Sequence, residues 1–184
     1  LNSGLLPADS SEPATTLHLV SAQTLSTFSE QLSNADQLWL QRQSFTGKAG
    51  QVAWLENGDG VVGQASDNDL SVLGHLPYAL PEGSYRLTND VGFVALLGWG
   101  LGSYRFDRYK SAERKPAKLV LSADADTTEL LHTIAATNLT RDLINTPAQD
   151  MAPSHLQAEV EDLTDTFGAL TTTTVGDDLL NLNC

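Results

Sequence analysis

Four histidines, His18, His75, His132 and His155, are the first residues to weigh for metal chemistry. A helical zinc site needs ligands one turn apart, as in His-x-x-x-His, and no two of the four have that spacing. Each is read as a surface or packing residue. Hard cations want clustered carboxylates. Close acidic pairs stand at Asp67 and Asp69, at Asp124 and Asp126, and at Asp177-Asp178. In a chain acidic along its whole length such pairs arise without any call for a ligand, so none is assigned to metal. Nucleophilic catalysis has no Gly-x-Ser-x-Gly elbow to build on. Cys184, the single cysteine, has no framework to hold a partner base beside it.

Phosphate binding has one place to stand, Gly98-Trp99-Gly100-Leu101-Gly102-Ser103. A dinucleotide loop needs Gly-x-Gly-x-x-Gly directly after a strand and at the opening of a helix. Here the spacing is Gly-x-Gly-x-Gly, it falls at the end of a helical stripe, and no Walker-type lysine follows. A helix C-terminus carries partial negative charge and repels phosphate. The reading is a tight turn with Trp99 packed against neighbours. The segment that follows, Tyr104-Arg105-Phe106-Asp107-Arg108-Tyr109-Lys110, is the locally basic and aromatic stretch. Such a stretch can stack on a base, but a surface loop with its arginines paired to acidic neighbours suits this composition better.

That composition sets the frame. The 184 residues carry 10 Lys and Arg against 23 Asp and Glu, a net charge of −13. Most faces would repel a nucleic-acid backbone, so no nucleic-acid partner is expected. Hydrophobic residues at 41% and charged residues at 18% fit a folded globular protein. One cysteine allows no intrachain disulfide and suits a reducing cytoplasm. No stretch approaches a membrane span, and Leu1 to Pro7 lacks the basic and long apolar regions of a signal peptide. A start without Met and an end on Asn181-Leu182-Asn183-Cys184 lead us to expect a piece of a longer polypeptide.

The elements that must position these residues follow from periodicity. Residues 1–16, rich in Ser, Ala, Pro and Thr, read as a flexible arm. Leu17 to Val20 reads as a first strand. Ser21 to Asn34 carries Leu25, Phe28 and Leu32 at helical spacing, with Ser21 or Thr24 able to cap it. Strands are expected at Gln37 to Gln41, Gln51 to Leu55 and Gly60 to Ala65. The turn Asn57-Gly58-Asp59-Gly60 makes the last two a hairpin. Weaker strand signals lie at Leu70 to Leu76 and Ser84 to Thr88, split by Pro81-Glu82-Gly83. A short helix is expected over Asp90 to Gly102, capped by Asn89 or Asp90, and a strand over Lys118 to Leu121. The clearest helix runs from Asp126 to Asn145, with Leu130, Ile134, Thr137, Leu139, Leu143 and Ile144 as its stripe and Pro147 as its stop. Another helix opens at Pro153-Ser154, with Ser154 as N-cap, and runs to about Phe167; Thr171 to Thr174 reads as a strand. Hairpins mixed with helical crossovers predict an α/β fold, a mixed sheet flanked by helices.

Two segments taken together carry a family resemblance. One is Gly98 through Lys110. The other is Asn138-Leu139-Thr140-Arg141-Asp142-Leu143-Ile144-Asn145-Thr146-Pro147-Ala148-Gln149-Asp150-Met151-Ala152-Pro153. Their order and separation resemble the leucyl aminopeptidase family of metallopeptidases, the M17 type. There a Gly-rich helix end and an aromatic Y-x-F-x-x-Y-K-like turn close the N-terminal domain. A helix reading N-L-x-R-x-L-x-N-T-P-A-x-x-M-x-P leads on to the catalytic domain. Val175 to Leu180 stands where that domain's early segment belongs. Residues 90–184 carry the resemblance.

The resemblance implies a macro-domain-like N-terminal domain followed by a long linker helix. Its expected boundaries are a flexible arm at 1–16 and an N-terminal α/β domain at 17–123. The linker helix and Asn-Thr-Pro-Ala turn take 124–153, and 154–184 is a truncated start of the catalytic domain. It further implies a cytoplasmic peptidase acting on peptide substrates, with two divalent metal ions, zinc or manganese, and assembly as a homo-hexamer. The family's metal ligands and catalytic arginine centre on an N-T-D-A-E-G-R motif that this chain does not contain. No catalytic, cofactor-binding or metal residue is therefore expected here, and the chain alone is expected to be inactive. Asn145 and Thr146 are expected to close the helix end structurally. The alternatives are a macro-type module binding a nucleotide or ADP-ribose, or a structural, oligomerisation role.

Overall fold

The computed structural model describes residues 3–65, 69–111, 113–123 and 127–181. Asp67, Asp124, Asp126 and Cys184 lie outside the described residues. Six strands form one sheet among the described residues: β1 (Leu5–Leu6), β2 (Ala14–Val20), β3 (Val52–Trp54), β4 (Gly60–Gly63), β5 (Ser84–Leu87) and β6 (Lys118–Val120). Their spatial order is β1-β6-β5-β2-β4-β3. Every neighbouring pair is parallel except β3 and β4, which run antiparallel. The mixed sheet expected from the sequence is therefore present.

Successive residues of a strand face opposite sides of the sheet, and the two cores follow that alternation. On one face Leu17, Leu19, Val62, Tyr85 and Leu119 pack with Leu73, Leu76, Leu80 and Trp99. On the other, Val20, Val61 and Ala53 pack with Leu40, Phe45 and Leu55, edged by Leu25, Phe28 and Leu32. The first face is covered by α3 (Ser71–Gly74), α4 (Leu76–Ala79) and α5 (Phe93–Gly102), the second by α1 (Leu25–Glu30) and α2 (Asn34–Arg42).

The Asn57–Gly60 hairpin forms as its residues demand. Gly58 takes φ 90°, which a side chain would resist. Asn57 Oδ1 accepts the Asp59 N–H at 2.9 Å. Three other expectations are overturned. Gln37 to Gln41 lies in helix α2, not a strand, because Ser33 caps it: its Oγ accepts the Asp36 N–H at 3.1 Å. Leu70 to Leu76 holds α3 and the start of α4, not a strand, and Asp69 Oδ1 accepts the Ser71 N–H at 2.7 Å where the chain enters α3. That bond holds the Asp69 carboxyl below its ordinary pKa. Thr171 to Thr174 joins no strand; among the described residues nothing supplies the ladder a strand requires.

The arm at 1–16 is also corrected. Leu5–Leu6 pair with β6, Ala14–Thr16 belong to β2, and the Gly4 carbonyl accepts from the Leu119 N–H at 2.8 Å. Glu12 ties the stretch between them to the sheet. Its carboxylate accepts from Ser84 Oγ at 2.5 Å and lies 2.9 Å from Lys118 Nζ. The Ser84 bond first, and Lys118 second, hold the Glu12 carboxyl below its usual range.

The long helix α6 (Thr127–Asn145) buries Leu130, Ile134 and Asn138 on one side, while Ile144 is exposed. Contacts divide the chain into two compact units, Leu1–Arg141 and Asp142–Cys184. In the second unit the Thr146 N–H and Oγ1 both donate to the Asp142 carbonyl, at 3.0 and 2.7 Å, closing the helix end before Pro147. A 3-10 turn (Ala148–Asp150) leads to α7 (Pro153–Phe167), and α8 (Asp178–Asn181) follows. The α7 N-cap is Ala152 rather than Ser154, and His155 Nδ1 accepts the Ala152 N–H at 3.0 Å. Among the described residues no helix is long and apolar enough to cross a membrane.

Candidate functional site

The glycines of the 98–103 segment lie inside α5 and serve helix packing. A Cβ on Gly98 would overlap the Leu70 carbonyl, one on Gly102 the Gly74 carbonyl, and one on Gly100 the Ile134 side chain. With no side chain at Gly98 and Gly102 α5 can meet α3 backbone to backbone, and Gly100 leaves room for Ile134 of α6. Trp99 of α5 is fully buried and donates from Nε1 to the Gly4 carbonyl at 3.0 Å. Nothing here is free to cradle phosphate, since the amides of a helix interior are already bonded.

From the end of α5 the chain runs into the basic, aromatic loop, and several bonds fix its base. Ser103 Oγ donates to the Trp99 carbonyl at 2.9 Å, and Tyr78 Oη donates to the Ser103 carbonyl at 3.3 Å. Arg141 donates to the Leu101 carbonyl at 2.9 Å and lies over the Tyr104 ring at 5.2 Å. Arg114 donates to the Tyr78 carbonyl at 3.0 Å and to the Leu80 carbonyl, holding the far end of the loop against α4. Between these anchors opens a cleft of about 370 Å³ lined by Tyr78, Arg105, Phe106, Lys110, Ser111, Glu113 and Arg114. The Arg105 guanidinium sits 4.3 Å from the centre of the Tyr78 ring. The sequence reading grouped 104–110 but not Tyr78, Glu113 or Arg114, which the fold brings to the same cleft. The signal that could have extended the group was the continuing run of cations to Lys115.

The crevice outside the carboxyl ends of parallel strands is where open α/β sheets bind ligands. Here, beyond β5 and β6, it holds about 90 Å³ and is lined by Asn89, Asp90, Val91, Leu96, Leu121 and Ser122, among others. That volume is well below the several hundred Å³ of an ordinary ligand pocket.

The structure does not bring the titratable residues together. His18 lies 3.8 Å from Asp59 and 5.3 Å, ring to ring, from Phe28. His75 Nδ1 is 3.1 Å from the Ser71 carbonyl. His132, Asp177 and Asp178 are exposed. One spacing escaped the sequence reading: Glu129 and His132 stand one turn apart on α6, a Glu-x-x-His pair. Both side chains are exposed, and among the described residues no group of three or more His, Cys, Asp or Glu could hold a metal ion.

Similarity to known proteins agrees with this architecture. The cytosol aminopeptidase from Coxiella burnetii superposes with a TM-score of 0.86 at 27% identity, over 96% of this chain and 40% of its own. A tomato leucine aminopeptidase variant (TM-score 0.65, 18% identity, 89% of this chain and 42% of its own) shares the fold. So does the bottromycin maturation enzyme BotP (0.70, 22%, 92% and 41%). The chain thus spans 40–42% of the length of these structures. No curated protein sequence matches it. The signature of the M17 aminopeptidase N-terminal domain matches residues 15–122, reaching well into the half where the sequence offered no motif. The chain belongs to the M17 aminopeptidase family, and residues 15–122 are its N-terminal domain.

Proposed function

We propose that these residues are the non-catalytic N-terminal part of a metal-dependent aminopeptidase that removes N-terminal residues from peptides. The observation that carries this reading is the family signature over residues 15–122 together with the 96% coverage by an aminopeptidase more than twice as long. In the family a pair of divalent ions, zinc or manganese, activates water against the scissile amide. The described residues of this chain do not fit such a centre, because their His, Asp and Glu side chains stand apart. We assign that chemistry to residues other than these 184. On this reading the chain scaffolds a cytoplasmic enzyme that assembles as a homo-hexamer, and α6 links its two parts.

Leucine-p-nitroanilide hydrolysis with added manganese or zinc tests the proposal. The 184-residue chain is expected to show none, and the protein extended to the length of its relatives is expected to show it. Metal-stimulated turnover by the 184 residues alone would overturn the assignment.

A further inference from the structure

The distribution of positive charge is uneven in a way that packing does not explain. Five of the chain's ten Lys and Arg residues fall within 105–115, against two carboxylates, Asp107 and Glu113, in a protein of net charge −13. Arg114 is committed to the carbonyls of Tyr78 and Leu80 and so has a structural use. Among the described residues Arg105 and Lys110 have no such backbone carbonyl to hold. Both line the cleft, and the ion pairs among the described residues, His18–Asp59 and Lys118–Glu12, involve neither. The Arg105 guanidinium lies over the Tyr78 ring, 4.3 Å from its centre, and its N–H groups enter neither of these ion pairs. With 23 acidic residues to draw on, the fold places both cations on one cleft and outside the ion pairs of the described residues, with Glu113 the one carboxylate among the lining residues.

A guanidinium and an ammonium on the wall of one cleft suit an oxyanion, because the guanidinium's fork of N–H donors matches two oxygens of a phosphate or carboxylate and the ammonium adds a second positive charge. The Phe106 ring on the wall suits a planar apolar body attached to that anion. Glu113 at the same cleft, and the acidic remainder of the surface, would repel a polyanion. The volume of about 370 Å³ limits the ligand to a small molecule.

We infer that this cleft binds a small aromatic oxyanion, its phosphate or carboxylate held between Arg105 and Lys110 and its ring laid against Phe106. The inference does not depend on the peptidase reading, since the cleft lies wholly within the first unit and its test uses no turnover.

Nuclear magnetic resonance titrations of the isotope-labelled 184-residue chain provide the test, with AMP as the phosphate source, benzoate as the carboxylate source and adenosine as the uncharged ring. Saturable shifts of the amides of Tyr78 and 104–111 are expected with AMP, benzoate or both, at Kd values of about 1 mM or tighter, and not with adenosine. The pattern between AMP and benzoate identifies the anion. Arg105→Gln combined with Lys110→Gln is expected to weaken binding by roughly tenfold or more. Lys48→Gln, an exposed charge elsewhere, should leave it unchanged and controls for general loss of charge. Both cleft residues are exposed, and an unchanged thermal midpoint verifies that the double variant folds. Three results would each overturn the inference: no saturable shift with either anion, adenosine binding as well as AMP, or undiminished binding by the double variant.

Discussion

Glu12 is a small residue-scale tie with a readable pH signature. Its hydrogen bond from Ser84 is stronger to the ionised carboxylate and its pairing with Lys118 requires that form, and both depress its pKa. A depressed carboxylate contributes stability above its unfolded pKa, about 4.3 for Glu, and that contribution disappears as pH falls through the lower folded value. Glu12→Gln is therefore expected to unfold earlier than the parent at neutral pH, with the gap closing in strong acid. Urea midpoints at the two pH extremes measure it, and a gap constant with pH would rule out the assigned ionic tie. At this scale the sequence was half legible. The position of Gly98, Gly100 and Gly102 at a helix end was enough to set phosphate aside. That Gly98 and Gly102 meet the backbone of α3 was not visible, because α3 itself read as a strand.

At the scale of elements, α6 and α7 look alike in the sequence and differ in their surroundings. Leu130 and Ile134 of α6 are buried, whereas Leu156, Val160, Leu163 and Phe167 form a stripe on α7 that is 40–70% exposed. Leu130→Ala is expected to cost about 2–5 kcal/mol through the cavity it leaves. Leu163→Ala in the same chain is expected to cost less than about 1 kcal/mol. Denaturant midpoints compare them, and equal losses would mean that the α7 stripe is covered in solution. Helices with long stripes and stop signals, such as Thr127–Asn145 and Pro153–Phe167, are legible because periodicity and Pro147 are local information. Gln37 to Gln41 and Leu70 to Leu76 form helices rather than strands because single side-chain bonds at their entries, the Ser33 cap and the Asp69 bond to the Ser71 N–H, outweigh short apolar runs. Thr171 to Thr174 has β-branched residues but no partner strand, and propensity alone does not make a ladder.

For the whole molecule, the division at Arg141 and Asp142 separates a unit with two apolar cores from one whose main helix buries no residue. Local stability follows buried contacts. Amides of α7 are thus expected to exchange with solvent faster than those of β2, β5 and α5, and hydrogen-exchange mass spectrometry of the intact chain reads this directly. Equal protection would mean a single cooperative body. The α/β class was legible from the mixture of hairpin and crossover spacings. The sheet order was not, since it depends on pairings between distant segments, and the anionic-ligand cleft likewise draws Tyr78 and Arg114 from separate stretches. The two-residue strand Leu5–Leu6 has a consequence for biosynthesis. Its partner, Leu119–Val120, is translated more than a hundred residues later. At ribosomal rates the chain's beginning must wait roughly 6–20 s for a neighbour. Until then the backbone of Leu5–Leu6 and the carbonyl of Gly4 stay open to chaperones and to other nascent chains.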